Sequence, residues 1–400
     1  MAAPYSKANV GVLGVSASAV VHAAGNGADA LWLAVKNGSG GLTRNNLSWC
    51  DLPCWIGEVP EVAATTLPEA LASWDCRNNR LAWMALQNAS FREAAGRSIA
   101  RHGAHRVGLI LGTSTSGIRS AEIAYAERRA TGSWPTQFHY RQSQSADSLC
   151  RFTASVLHLE GPMVSIATAC SSSAKVFLTA KRWIELGIVD AVIVGGADSL
   201  CLSTLHGFDS LQLLSPEICR PFDASRNGIS IGEAAGFILL EREASEINFL
   251  GGGESSDAWH MSTPHPTGQG AQDAMRGALA AAGLAAADIG YVNAHGTATL
   301  ANDRAEAAAL VAVFGDHGVP VSSTKGITGH TLGAAGIVEV IVVTNALARQ
   351  TLPTCANLLA ADPELPLDLI EQSRPAKLRY AMSNNFGFGG SNCALIFGTA

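Results

Sequence analysis

A repeated unit, made of a short apolar run, a turn and a helix, constrains this 400-residue chain more than any other feature of its sequence. The unit is clearest at residues 107–111, an apolar run that ends at Gly112 and precedes a Ser-rich turn and a helical pattern over residues 118–129. Strands that alternate with helices predict a mostly parallel α/β sheet with helices on its faces. Further strands are predicted at 163–167, 191–194, 289–293 and 319–322, and further helices at 146–157, 174–186, 271–284 and 303–313.

The same unit restarts after Glu246, which predicts two related halves, residues 1–245 and 246–400. A glycine-punctuated hairpin is expected to close each half, at residues 229–240 and 382–397. A chain of this length usually forms two domains or one fold built from two similar halves. We therefore expect an α/β fold of two similar halves.

The N-terminal segment has two interpretations. Lys7 followed by an apolar stretch over residues 10–21 is compatible with a signal peptide, but also with a buried first strand and its turn. The nine cysteines are odd in number and lack the spacing of a disulfide framework, as is typical of reduced thiols in the cytosol. We favour the strand and a cytoplasmic protein.

Overall charge and hydropathy exclude two other classes. A net charge of −6 gives no general reason to expect nucleic acid. No apolar run reaches membrane-spanning length without a charge or a helix breaker, so no membrane span is expected.

Cys170 follows the predicted strand at 163–167 and precedes the predicted helix at 174–186. A thiol at a helix N-terminus faces unpaired N–H groups and the positive end of the helix dipole, which favour its thiolate. Backbone amides at such a position can also hold a developing oxyanion. From this segment alone, a nucleophile and a buried structural cysteine are both compatible with the pattern.

Two histidines occupy corresponding places after later strands. His295 lies in a Gly/Thr loop after the strand predicted at 289–293, and His330 lies in a second such loop after the strand predicted at 319–322. Ligands of α/β sheets bind at the carboxyl ends of strands. The histidines could be metal ligands together with Cys170, but the spacing of a zinc site is missing. A nucleophilic cysteine served by two imidazoles is the simpler interpretation.

A glycine-rich turn over residues 385–392 separates two apolar runs near the C-terminus. It lacks the lysine of a phosphate-binding loop. Its glycines allow close backbone approach, and Phe386 and Phe388 could close a pocket.

Taken together, these segments resemble the elongating β-ketoacyl-acyl-carrier-protein synthases, decarboxylating condensing enzymes of the thiolase superfamily. The resemblance implies a thiolase-like fold with α-β-α-β-α layers. It covers residues 108–397, and the matching runs are Thr-Ala-Cys-Ser at 168–171, 220–223, 255–261, 293–299 with Asp303 and Glu306, 322–336 and 385–392.

The resemblance also implies a mechanism. Cys170 would take an acyl chain from the phosphopantetheine of acyl carrier protein as a thioester. His295 and His330 would hold the thioester carbonyl of malonyl-carrier protein while carbon dioxide is lost, and the carbanion would attack the acyl group in a Claisen condensation. The amides of Cys170 and Phe388 would form a second oxyanion site, with Phe388 gating the acyl pocket. No metal or soluble cofactor is implied.

Further roles follow from the same resemblance. Lys325, paired with Glu306, would organise the histidines, although a structural ion pair is an alternative. Thr297 and Thr299 would bind the pantetheine arm, and Thr115 would line the acyl pocket near a dimer interface.

Carrier docking is implied for Arg77 and Arg80, for which solvated helix charges are an equal alternative. The partners implied are acyl carrier protein and a second subunit, either in a homodimer or in a heterodimer with a chain-length-factor-like protein. Ser-Ser-Ser-Ala-Lys at 171–175 is similar to ketosynthases of bacterial aryl-polyene pathways.

Departures from the family pattern are Ala298 and Leu300, Asn227 in place of Asp, and Ser391 in place of Thr. None removes a catalytic group. A biosynthetic thiolase would need a second reactive cysteine, and Cys393 is instead predicted to lie in a strand. Initiating synthases carry Asn where His330 stands, which favours elongation.

Overall fold

The computed structural model describes residues 11–400, so Lys7 and Val10 lie outside the described residues. The predicted first strand is found from Leu13 onward. The strands are β1 Leu13–His22, β2 Gly25–Asn26, β3 Thr43–Arg44, β4 Trp55–Gly57, β5 Val107–Gly112, β6 Met163–Ile166, β7 Ala191–Asp198, β8 Ile231–Gly232, β9 Ala234–Glu241, β10 Ile247–Ser256, β11 Ile289–Asn293, β12 Pro320–Ser322, β13 Thr351–Leu352, β14 Asp368–Leu369, β15 Arg374–Pro375, β16 Tyr380–Gly387 and β17 Ser391–Thr399.

The helices fall between these strands, as the alternating pattern predicts. They are α1 Ala28–Asn37, α2 Arg77–Leu86, α3 Ala89–His102, α4 Ile118–Thr131, α5 Tyr140–Ser143, α6 Ser148–Leu157, α7 Ser172–Glu185, α8 Leu202–Ser210, α9 Gln269–Ala282, α10 Leu300–Phe314, α11 Lys325–Thr328 and α12 Ala335–Arg349. The main differences from the predicted bounds are that β7 continues to Asp198 and that α10 begins at Leu300.

The two halves share one strand order. The first half runs β1-β9-β7-β5-β6 across the sheet, and the second runs β10-β17-β16-β11-β12 with β14 added at its edge. Counted along the chain, both orders place the main strands first, fifth, fourth, second and third. This repetition confirms the prediction of two similar halves.

The sheet is mixed, so the prediction of a mostly parallel sheet is wrong. β5 is parallel to β6 and β7, and β11 is parallel to β12 and β16. The pairs at the centre, β1 with β9 and β10 with β17, are antiparallel. The reason is that each half closes with a strand that returns against its first strand.

The prediction of a hairpin at the end of the first half is also wrong. β8 pairs with β4, and β9 lies between β1 and β7. The hairpin expected at the end of the second half is confirmed, because β16 and β17 pair along their length.

Two helices, α7 from the first half and α12 from the second, form the central layer and pack against each other. α2 and α3 contact strands of the first half, and α9 contacts those of the second, which gives the expected α-β-α-β-α order. α12 belongs to a stretch, Leu332–Arg349, that is long and apolar enough to cross a membrane, but 83% of it is buried inside the fold. It is therefore a core helix.

Aromatic packing fixes α7 to the second half. The ring of Phe177 on α7 lies 5.6 Å from that of Phe249 on β10 and 5.6 Å from that of Phe397 on β17. All three side chains are fully buried. Such aromatic pairs contribute about 0.5–1.5 kcal/mol beyond their burial. The helix that follows Cys170 is therefore held by both halves.

The closest approach of α7 and α12 depends on Gly336. A Cβ at this position would lie 2.5 Å from the backbone nitrogen of Ala174 and 2.9 Å from its Cβ. We expect Gly336→Ala to lower the melting temperature measured by circular dichroism, because overpacking a core costs about 1–3 kcal/mol. Gly96→Ala on α3 is the control, since a Cβ there meets nothing within 4 Å and alanine favours a helix. Equal melting temperatures for Gly336→Ala and wild type would contradict this close packing.

Candidate active site

Cys170 lies in a strained turn between β6 and α7. The residue before it, Ala169, has a φ of 51°, a left-handed conformation that a non-glycine residue rarely adopts. The Ser172 hydroxyl stabilises the turn, because it donates to the carbonyl of Ala169 at 2.6 Å and accepts from the N–H of Thr168 at 2.9 Å. The turn places the thiol directly before α7, as predicted.

His330 contacts the thiol directly, with Nε2 3.0 Å from the Cys170 Sγ. Burial raises the pKa of Cys170 to about 11, and the Lys325 ammonium opposes that rise. Burial and Lys325 together hold the pKa of His330 well below its usual value. At neutral pH both groups are therefore uncharged, and one hydrogen bond joins the thiol and Nε2, with its direction set by the His330 tautomer. In the tautomer whose Nε2 carries no proton, the imidazole is placed to take the thiol proton when the sulfur attacks.

His295 lies beside His330, with ring centroids 5.2 Å apart and planes nearly perpendicular. Lys325 Nζ lies 3.2 Å from His295 Nδ1 and donates to the His295 carbonyl at 2.5 Å. Because an ammonium group can only donate, Nδ1 must accept, which leaves the ring proton on Nε2. Burial and Lys325 lower the pKa of His295, so the ring is neutral. His295 therefore acts as a hydrogen-bond donor from Nε2.

The predicted pairing of Lys325 with Glu306 is wrong. Lys325 Nζ pairs with Glu339 Oε1 at 2.5 Å, and Asn385 donates to the other carboxylate oxygen. Glu306, on α10, instead accepts from the backbone N–H groups of His295 and Gly296 at 2.8 and 2.7 Å. Burial raises its pKa to about 7. One carboxylate thus holds the lysine, and the other holds the histidine loop.

The glycine-rich turn between β16 and β17 closes the site over Cys170. The backbone N–H of Phe388 faces the Cys170 sulfur and opposes the rise in the pKa of this thiol. A Cβ at Gly387 would lie 2.9 Å from the carbonyl oxygen of Thr168. The Phe388 ring contacts Phe208 of α8, with centroids 5.4 Å apart. These contacts place Phe388 beside Cys170, and its roles in oxyanion binding and gating stay predictions.

A cavity of about 160 Å³ leads from the surface to Cys170. Thr297 and Thr299 line it, as expected for a pantetheine site, and their hydroxyls lie 2.9 Å apart. The remaining lining residues that matter for size and polarity are Phe208, Leu211, Leu213, Ile229, Asp257, His260, Asn302 and Phe386.

Thr115 is buried and lies outside the lining of this cavity. Its hydroxyl donates to Asp198 at 2.9 Å and accepts from the N–H of Ser199 at 3.1 Å. Its assignment to the acyl pocket stays a prediction.

The structure places Arg77 in an internal ion pair, which counts against its predicted role in carrier docking. It binds Glu233 at 2.6 Å and Glu58 at 2.9 Å, and only 12% of its side chain is exposed. Arg80 is more exposed and pairs with Asp75. The predicted helix is correct, but its first turn faces the fully buried Glu233 rather than solvent.

Two residues of the site escaped sequence reasoning. Glu339 is the one acidic residue of helix α12 and lies in an apolar run from Ile337 to Val343, and that isolation is the signal that could have identified it. Asp198 ends the apolar strand β7 in the same way.

Among residues 11–400, one set of side chains could hold a metal. The sulfur of Cys170 and one ring nitrogen each from His295 and His330 lie within 4.8 Å of one another, and zinc binds these ligand types. The thiol–imidazole hydrogen bond accounts for the same arrangement without an ion. That the chemistry needs no metal stays a prediction.

Removing the Lys325 charge should raise the pKa of Cys170 further, because that charge opposes the effect of burial. We expect Lys325→Met to slow alkylation of Cys170 by iodoacetamide about tenfold for each unit by which the pKa of Cys170 rises. The rate is measured by intact mass at a pH below that pKa. Lys175→Met is the matched control, since Lys175 also lies near Cys170 in the chain but pairs with Glu254.

The double variant Lys325→Met with Glu339→Gln guards against unfolding, because it leaves no unpaired buried carboxylate. An unchanged alkylation profile in both folded variants would contradict the role of the Lys325 charge.

Known proteins are similar to this chain in sequence and in fold. The family description "Beta-ketoacyl synthase, N-terminal domain" matches residues 78–246, and "Beta-ketoacyl synthase, C-terminal domain" matches residues 248–359. Nodulation protein E of Rhizobium meliloti is 37% identical over 76% of this chain and 78% of its own length. The 3-oxoacyl-[acyl-carrier-protein] synthase 2 of Vibrio cholerae is 34% identical with the same coverage.

A solved structure matches the whole chain. The ketosynthase ApeO from Xenorhabdus doucetiae, solved in complex with its chain length factor ApeC, is 40% identical. The match covers 99% of this chain and 100% of that one, with a TM-score of 0.89. The chain therefore belongs to the β-ketoacyl synthase family.

Proposed function

We propose that this protein is an elongating β-ketoacyl-acyl-carrier-protein synthase in which Cys170 carries the growing acyl chain. The observation that carries the proposal is the 3.0 Å contact between Cys170 Sγ and His330 Nε2 beside a second neutral histidine, His295. A thiol with one base would suit many acyl transfers. The second imidazole, with its proton fixed on Nε2 by Lys325, adds a donor for an enolate oxygen.

In the first step, Cys170 takes the acyl group from its carrier. The sulfur attacks the acyl thioester while its proton passes to His330 Nε2. The new Cys170–acyl bond forms as the pantetheine sulfur leaves, and that sulfur takes up the proton. The N–H of Phe388, which faces the Cys170 sulfur, and the N–H of Cys170 stabilise the oxyanion of the tetrahedral intermediate.

In the second step, a malonyl thioester enters with its pantetheine arm along Thr297 and Thr299. The thioester oxygen accepts hydrogen bonds from His295 Nε2 and from His330 in the tautomer that carries its proton on Nε2, which is available once Cys170 is acylated and no longer offers a proton to that nitrogen. The bond to the carboxylate then breaks to release carbon dioxide and leave an enolate. The enolate carbon attacks the acyl group, and the Cys170 thiolate leaves. Donors in a buried site stabilise such charge by about 3–4 kcal/mol each.

The pathway and the partners belong to the proposal as well. ApeO was solved with a chain length factor, and we infer a similar heterodimer here, with a homodimer as the alternative. The Ser-Ser-Ser-Ala-Lys run at 171–175 supports an aryl-polyene-type chain as the product. Acyl carrier protein would deliver both substrates, and no metal or soluble cofactor takes part. All nine cysteines are free, which supports a reducing compartment such as the cytoplasm.

A biosynthetic thiolase is the alternative reaction on this fold, and Cys393 counts against it. Cys393 is fully buried within β17, where it pairs with Glu254 of β10. Burial raises its pKa to about 12, so it is a poor base at neutral pH.

The proposal is tested by intact-mass analysis of the protein mixed first with an acyl-carrier protein and then with malonyl-carrier protein. We expect acyl mass on wild type but not on Cys170→Ala, followed by an extended β-ketoacyl product. His295→Ala should still be acylated but should lose condensation by about 10²–10³-fold, because it removes the enolate donor.

Cys150→Ala is the matched control, since Cys150 is another buried thiol whose burial raises its pKa to about 11. Acylation without any need for a malonyl extender would overturn the decarboxylating role and favour a thiolase or hydrolase.

Carrier docking is tested at Arg80 alone, because a change at Arg77 would break a buried ion pair. We expect Arg80→Glu to raise the apparent KM for acyl carrier protein about threefold or more with little change in kcat, since exposed charges act mainly on association. Arg374→Glu, at another exposed ion pair, is the control. An unchanged KM at both low and high salt would remove Arg80 from the docking surface.

A further inference from the structure

Asp198 is a fully buried carboxylate at the carboxyl end of β7. It accepts hydrogen bonds from six donors. Three are the backbone N–H groups of Ser114, Thr115 and Gly333, at 2.9, 2.9 and 2.6 Å, and three are the hydroxyls of Thr113, Ser114 and Thr115. Among the residues that the structure describes, no Lys or Arg forms an ion pair with it. Oriented neutral donors alone hold this charge in the core.

These six donors come from two segments that are distant in sequence. Residues 113–115 follow β5 in the first half, whereas Gly333 lies in the second half, three residues after His330. A Cβ at Gly333 would lie 2.7 Å from Asp198 Oδ2 and 2.8 Å from the nitrogen of Ser114, so the junction has no room for a side chain. Asp198 therefore joins the two halves beside the catalytic histidine.

The backbone of His330 also forms hydrogen bonds to the first half. The His330 N–H donates to the carbonyl of Ser230 at 2.7 Å, and the His330 carbonyl accepts from the N–H of Gly232 at 3.0 Å. Cys170 also belongs to the first half. The 3.0 Å contact between the two catalytic groups thus depends on how the His330 segment is attached across the junction.

We propose that Asp198 is a positioning residue that sets the distance between His330 and Cys170 by anchoring the turn at Gly333; this inference rests on the proposed function. A carboxylate suits this role because both of its oxygens can accept hydrogen bonds from the surrounding donors. The substitution Asp198→Asn would present an amide NH₂ to backbone N–H groups and would lose part of the anchor.

The Asp198 charge also affects the pKa of Cys170. This second effect allows a test to separate the loss of the charge from a displacement of the turn that carries His330. Burial dominates the raised pKa of Cys170, and the charges of Asp198 and Glu339 add to it while Lys325 opposes it. The other titratable groups that face the thiol are His330 and His295. Removal of the Asp198 charge should therefore lower the pKa of Cys170, whereas a displaced turn should not.

The test compares Asp198→Asn with Gly333→Ala, which forces the same junction apart without any change of charge. Condensation kcat and KM are measured with acyl- and malonyl-carrier proteins, and the pKa of Cys170 is read from the pH dependence of iodoacetamide alkylation. We expect kcat to fall at least tenfold in both variants with KM within about twofold. The pKa of Cys170 should fall only in Asp198→Asn.

Glu241→Gln is the matched control, because Glu241 is paired with Ala191 at the opposite end of the β7–β9 pair and accepts from the hydroxyls of Ser16 and Ser98. Its kcat should equal that of wild type. Unchanged kcat in folded Gly333→Ala, or an equal loss in Glu241→Gln, would overturn the inference. If Asp198→Asn does not fold, Gly333→Ala and Thr115→Val, which removes one donor to Asp198, decide in its place.

Failure of the proposed function has a different signature. In that case wild type itself gives no extended product, and the distance between Cys170 Sγ and His330 Nε2 decides in place of kcat. An unchanged distance of 3.0 Å in a crystal structure of Gly333→Ala would then overturn the positioning role, and a longer distance would support it.

Discussion

The buried ammonium group of Lys325 is the interaction on which the rest of the site depends. It lies between the Glu339 carboxylate and the ring and carbonyl of His295, and only 1% of its side chain is exposed. A lone charge at this depth would cost several kcal/mol, and the ion pair with Glu339 offsets that cost. Once in place, the ammonium fixes the His295 tautomer and lowers the pKa of both histidines. Burial and this cation together keep two imidazoles neutral, beside a thiol that burial keeps protonated.

The site lies at the junction of two halves with the same strand order. The first half supplies Cys170 at the start of α7, and the second supplies His295 and His330 in loops that follow β11 and β12. The two central helices meet through Gly336 and Ala174, close behind the reacting groups. Packing between the halves is therefore what assembles the chemistry, and small residues at that contact matter as much as the reactive side chains.

Much of this arrangement can be predicted from the sequence, because it depends on patterns among residues that are close together in the chain. The strand Ile289–Asn293, the position of Cys170 before α7 and the hairpin of β16 and β17 all rest on neighbouring residues. The errors concern choices that local pattern does not decide. Whether a returning strand pairs with its neighbour in sequence or enters the sheet between two others is settled by long-range packing, as for β9.

Which groups pair with a buried charge is a second question that long-range packing decides. Glu306 and Glu339 are both fully buried acids near Lys325, and only the three-dimensional packing of α10 and α12 assigns one to the histidine loop and the other to the lysine. Arg77 illustrates the same point, since its place at the start of a helix suggests solvent while Glu233 holds it inside. Such ion pairs and hydrogen bonds join different helices, strands and loops, so no periodic pattern in the sequence predicts them.

The place of β1 in the sheet has a consequence for synthesis of the protein. β1 is the first strand in the described chain, yet it pairs on one side with β9 and on the other with β10, which begins at Ile247. Because β9 begins at Ala234, both edges of β1 lack their long partners until more than half of the chain has left the ribosome, apart from the short contact with β2. Unpaired strand edges invite association with other chains. A nascent chain of this protein is thus most vulnerable to aggregation before its second half emerges.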